Sequence, residues 1–120
     1  MHDQKTPQPQ KMSVSNLTFR DREGLRLAYM DWALRGGLFV QNPAARLYRL
    51  GEPQFLVVVL PDSTERHATS GRIVWLSMGG SRPMGFGVQF DTSPEAERLR
   101  TAIEQQLTGL TEGDRPTHTL

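Results

Sequence analysis

The chain has 120 residues with Lys+Arg 14, Asp+Glu 13 and a formal net charge of +1, which fits one domain and leaves no charge excess to hold a nucleic acid. It has no cysteine, so disulfides, thiolate zinc sites and thiol nucleophiles are excluded together. A hydrophobic share of 37% and a mean hydropathy of −0.49 fit a small globular core, and no apolar run approaches the ~20 residues of a membrane span.

Residues 1–12 are polar, carry Pro7 and Pro9 and lack an apolar signal segment, so a disordered arm and a cytoplasmic location are expected. Val14 to Phe19 is β-prone. From Asp21 to Ala33 the apolar positions Leu25, Leu27, Tyr29 and Trp32 follow neither a two-residue nor a helical period, and the segment reads as a loop with extended or one-turn helical character. Arg20, Arg22 and Arg26, interleaved with Asp21 and Glu23, read as part of a solvated loop. Leu38 to Gln41 follows Gly36-Gly37 as a strand and is broken by Asn42-Pro43.

Phe55 to Leu60, between Pro53 and Pro61 and with three consecutive valines, reads as a central strand. Arg66 to Met78 reads as a long strand whose Ile73 to Leu76 end is apolar on both faces, so something must cover the sheet from outside. A turn of Gly79, Gly80, Ser81 and Pro83 leads to strict alternation, with Met84, Phe86, Val88 and Phe90 on one side and Gly85, Gly87 and Gln89 on the other. Two glycines on one face admit close approach from a neighbouring chain segment. Ser93 is a good N-cap and Pro94 fits the first helical position. Ala96, Leu99, Ile103, Leu107 and Leu110 then form one stripe, and Gly109 and Gly113 end the helix.

Catalytic templates fail one by one. His2, His67 and His118 have no metal-ligand spacing, Gly79-x-Ser81-x-Pro83 lacks the second glycine of a nucleophile elbow, and no phosphate-cradling loop occurs. Glu95, Glu97 and Glu104 fall on a solvated helix face, where they pair with arginines three residues on or stand alone. No enzyme activity and no cofactor are expected.

The strand Gly71-Arg72-Ile73-Val74-Trp75 answered by Gly85-Phe86-Gly87-Val88-Gln89-Phe90 resembles the closing half of PilZ domains. Ala28-Tyr29-Met30, Gly36 to Val40, Leu50-Gly51-Glu52, Phe55 to Pro61 and the tail Asp114 to Leu120 extend the likeness to the type IV pilus assembly branch of that family. The resemblance implies a mainly β fold, a six- or seven-stranded antiparallel barrel with one C-terminal amphipathic helix over residues 13–110, and a polar tail at 111–120. It also implies a monomeric, non-catalytic adaptor for pilus biogenesis and twitching motility. The implied partners are the pilus extension ATPase (PilB) and, in some species, a GGDEF/EAL regulator (FimX), with no nucleic acid and no membrane insertion.

Many PilZ domains grip cyclic di-GMP through Arg-x-x-x-Arg upstream of the first strand and a later Asp/Asn-x-Ser-x-x-Gly. Arg22-x-x-x-Arg26 falls after the first strand, and Ala33 replaces the serine in Asp31-x-Ala33-x-x-Gly36, so the echoes are incomplete. A cyclic di-GMP effector is the alternative reading. An adaptor needs apolar or aromatic anchors, and the candidates are Tyr29, Met30, Trp32, Leu34 and Trp75. Tail residues Arg115, Pro116 and His118 are added from the resemblance.

Overall fold

A computed structural model describes residues 12–110 and 116–120. Residues 1–11 of the arm expected at 1–12, the helix-ending role of Gly113 and the candidate Arg115 lie outside the described residues. Five strands, β1 (Ser13–Thr18), β2 (Gly37–Gln41), β3 (Pro53–Val59), β4 (His67–Ser77) and β5 (Gly85–Phe90), form one sheet in the order β1-β3-β4-β5-β2, curled into a half-barrel. Two helices, α1 (Arg22–Ala28) and α2 (Pro94–Leu107), complete it.

Three expectations are corrected. Five strands, rather than six or seven, occur among the described residues. The sheet is not wholly antiparallel, because β1 runs parallel to β3, from Ser13 beside Gln54 to Thr18 beside Val59. The chain leaves β1, forms α1 and the far edge strand β2, and only then returns as β3, a crossover long enough for a parallel pair. Third, part of the segment read as a loop is the helix α1: the Asp21 carboxylate accepts from the Gly24 backbone N–H at 2.8 Å and Glu23 sits in the first turn.

The core lies between the concave face of the sheet and the two helices. Alternation places Leu56 and Val58 of β3, and Phe86, Val88 and Phe90 of β5, on that face with Leu38 and Val40 of β2. The α2 stripe Ala96, Leu99, Ile103 and Leu107 is buried against it, and the Ser93 hydroxyl accepts from Ala96 N–H at 3.0 Å, as its N-cap position predicts. Asp91 orients this helix start by accepting hydrogen bonds from Ser70, Ser93 and Thr69. Burial alone would push its carboxyl up, but the combined donors hold it below the usual carboxylate range. Tyr48 roots the β2–β3 connection in the core, its ring 4.5 Å from that of Phe86.

Gln54, on the concave side of β3, is fully buried, and neither atom of its amide has a hydrogen-bond partner among the described residues. A buried amide without partners costs about 1–3 kcal/mol. Gln54→Met, which keeps the length and removes the polar atoms, should therefore raise stability by about 1–2 kcal/mol in a urea melt. An unchanged or lowered midpoint would show that the amide is satisfied in solution.

Candidate protein-interaction surface

The second face of the sheet, opposite the core, carries Met30 and Trp75 of the predicted anchors. In β4 a bulge at Val74 shifts the register between Ile73 and Trp75. Ile73 and Leu76 thereby keep the core face, opposite Val88 and Phe86, while Trp75 turns to the other face opposite Gly87. Sequence periodicity showed apolar residues on both faces here; the bulge divides them.

The glycines make this face close-packed. A Cβ on Gly37 would lie 2.6 Å from Met30 Cε, and one on Gly87 would collide with Met30 Sδ and lie 3.0 Å from Trp75 Cβ. The missing side chains are the space that Met30 fills, so the close approach inferred from the glycines is made by a side chain as well as by neighbouring strands. Met30 is fully buried, which withdraws it from the exposed anchors. Tyr29 is withdrawn too: it is buried, and its hydroxyl donates to Glu104 Oε2 at 2.7 Å. Burial, followed by the bond to Glu104, raises its pKa. It ties α1 to α2.

Trp32, Leu34 and Trp75 remain. A tight turn projects the first two: Ala33 N–H donates to Met30 O at 3.3 Å, Gly36 N–H donates to Ala33 O at 2.9 Å, and Gly36 supplies the φ of 74° that the turn requires. Trp32 is 38% exposed and Leu34 76% exposed. The Trp32 ring meets that of Trp75, half-buried beside it, with centroids 5.6 Å apart and a 51° tilt. The Trp75 indole N–H is buried and has no acceptor among the described residues.

Residues 116–120 dock onto the same face instead of standing away as a polar arm. His118 N–H donates to Leu27 O at 2.9 Å, Arg26 Nη1 reaches Pro116 O at 3.4 Å and Arg82 Nη1 reaches Thr117 O at 3.3 Å. Trp32 Nε1 donates to Thr119 Oγ1 at 2.9 Å, and the His118 ring lies 5.4 Å from that of Phe39. Pro116 is exposed and His118 half-buried. The structure thus gathers Trp32, Leu34, Trp75, Pro116 and His118 around one face. Sequence reasoning missed Arg26, Phe39, Arg82 and Thr119, which seat the segment. The Glu23–Arg26 spacing was a legible sign of an anchored guanidinium; Arg82, in a turn, gave none.

Arg26 was expected in solvent and is 8% exposed. Its Nε and Nη2 donate to the two Glu23 carboxylate oxygens at 3.0 and 2.7 Å, a fork that raises its pKa. Arg22 Nη1 donates to Gln106 O at 3.1 Å, and Ala33 is buried in the turn. A separate cleft of about 380 Å³ between α2 and the start of β4 is lined by Glu65, His67, Glu97, Arg98 and Gln105 among others, and none of the candidate anchors reaches it. Among the described residues no cluster of three or more His, Asp or Glu could hold a metal ion, and no helix is long and apolar enough to cross a membrane.

Burial, and secondarily the Arg26 charge, lower the His118 pKa. The undocked ring takes up a proton below about 6.5 while the docked ring resists it, so the undocked state binds more protons and docking weakens as pH falls through that range. Trp32 emission should report this release between about pH 7.5 and 5.5, and His118→Gln should flatten the profile. A pH-independent signal in the unsubstituted protein would contradict it.

The architecture is a curled sheet with a covering C-terminal helix and a face bearing Trp32 and Trp75 beside the β4–β5 hairpin. The chain matches the PilZ domain family over residues 16–109, most of its length, and belongs to that family. PilZ domains are in general non-catalytic binding domains. No curated protein sequence matches the chain significantly.

Proposed function

We propose that this chain is a non-catalytic adaptor of type IV pilus biogenesis and twitching motility, from the branch of PilZ domains that lacks the cyclic di-GMP motif. It acts in the cytoplasm as a monomer, through contact with the pilus extension ATPase (PilB) and in some species with a GGDEF/EAL regulator (FimX). It needs no cofactor. The observation that carries this reading is the composite face: two adjacent tryptophans beside an exposed leucine and the docked segment 116–120. Aromatic anchors next to solvent are features that a polypeptide partner covers.

The segment Pro116 to Leu120, part of the tail that together with the ordered motifs resembles the pilus-assembly branch, lies on that face. Arg22 and Arg26 stand on a helix and are bonded to Gln106, Glu23 and Pro116. That occupancy speaks against the alternative, a cyclic di-GMP effector that needs both guanidiniums on a mobile arm. Titration of the protein with cyclic di-GMP should be flat, and a strain lacking the gene should lose surface pili. Normal piliation, or tight nucleotide binding lost in Arg22→Ala, would overturn the proposal.

A further inference from the structure

The connection between β2 and β3 contains Arg46-Leu47-Tyr48-Arg49-Leu50, which no part of the composite face uses. Its middle residue is fixed in the core by the Tyr48–Phe86 ring contact, while Leu47, at the end of a short 3-10 turn (Ala45–Leu47), and Leu50, three residues beyond it, are 72% and 63% exposed. Such exposure of two large apolar residues is not forced by folding, since the tyrosine already anchors the loop. The backbone is also tied down. The N–H groups of Ala45, Leu47 and Tyr48 donate within the turn, Arg49 N–H donates to Glu52 Oε1 at 2.6 Å, and Gly51 N–H donates to Ile73 O at 2.7 Å. Arg46 and Arg49 are exposed beside the leucines, and Arg72 of β4 joins them by donating from Nη1 to Gly51 O at 3.0 Å. Glu52, the one acidic side chain between residues 42 and 52, is half-buried and engaged with the backbone.

We propose that this loop is a peripheral contact for an anionic lipid surface, independent of the adaptor reading. Leu47 and Leu50 enter the headgroup boundary, and Arg46, Arg49 and Arg72 face the lipid phosphates. The three guanidiniums set the sign of the occupant's charge. A tip that projects two side chains, with most of its backbone donors already paired, suits a deformable interface better than the flat, close-packed centre of a protein contact. The protein lies on the surface and does not span it.

The test is co-sedimentation of the full chain with phosphatidylcholine vesicles, with and without about one-third phosphatidylglycerol, at low and raised salt. Binding to the anionic vesicles only, weakened by salt and reduced about tenfold or more in the Leu47→Ser, Leu50→Ser double variant, is the expected result. Both leucines are solvent-facing, so the melting curve of the variant should match the parent and keep the comparison valid. Absence of binding to anionic vesicles, or equal binding by the double variant, overturns the proposal. A variant that loses a protein partner while the parent ignores both vesicle types would assign the loop to an acidic protein instead and also overturn it.

Discussion

Gly85→Val should cost the fold about 3 kcal/mol or more, a fall of roughly 12–20 °C in melting temperature for a domain of this size. The β-carbon at this position would collide with the Val40 carbonyl oxygen and lie 2.7 Å from Phe39 Cζ and 3.0 Å from Gln41 Cα. Two of these are backbone atoms of the paired strand β2, which cannot yield as a flexible side chain would. The backbone at Gly85 has no positive φ, so the cost comes from packing alone. Gly51→Ala provides the contrast: its φ is 88° and nothing lies within 4 Å of the added carbon, so only conformational strain of about 1 kcal/mol is expected. Urea melts of both variants separate the two causes. If Gly85→Val melted within about 1 kcal/mol of the parent, β2 would not be seated as described.

Trp32→Ala and Leu34→Asp should each lower affinity for the pilus extension ATPase about tenfold or more, with the double variant lower still. Leu34 is the cleaner probe: at 76% exposure its side chain contributes little to the core, so stability should stay within about 0.5 kcal/mol of the parent. Trp32→Ala removes the contact with Trp75 and the bond to Thr119, so it strips both halves of the face together. Trp75→Phe adds resolution. It keeps a ring beside Trp32 and removes the buried N–H that has no acceptor among the described residues. Stability should hold or rise, because a buried donor without an acceptor costs about 1–3 kcal/mol. Binding by Leu34→Asp and Trp32→Ala indistinguishable from the parent would move the contact elsewhere on the domain.

Helix α2 was readable as far as Leu107, its expected stripe member Leu110 falling past the end, because each determinant is local: a Ser93 cap, Pro94 at the first turn and a stripe at three- and four-residue intervals. The hairpin strands were readable for the same reason, and the division of β5 into a glycine face and a Phe86–Val88–Phe90 face is observed. Helix α1 escaped because seven residues are too few to establish a period, and its buried set, Leu25, Arg26 and Ala28, includes a charged side chain that looks solvated until its partners Glu23 and Pro116 are known. The parallel β1–β3 pair escaped because strand neighbours separated by a helix and an edge strand leave no local mark.

The candidate surface was legible in part. Trp32 and Leu34 stood out as large apolar residues in a segment without a clear core pattern, and Trp75, in a strand end apolar on both faces, lies against Trp32. Tyr29 and Met30 carried the same signal and are buried instead: one bonds Glu104, and the other fills the space above Gly37 and Gly87. Met30 depends on the space above Gly87 and Tyr29 on Glu104, both far away in the chain, non-local packing facts that periodicity cannot supply. The docking of residues 116–120 is likewise set by carbonyls meeting Arg26 and Arg82, contacts 90 and 35 residues apart in the chain.

Isothermal titration of the full chain against the purified extension ATPase, repeated with saturating cyclic di-GMP, tests the adaptor claim most directly. The account predicts a saturable complex whose affinity the nucleotide leaves unchanged. No heat with the ATPase, together with a saturable isotherm for cyclic di-GMP alone, would contradict it.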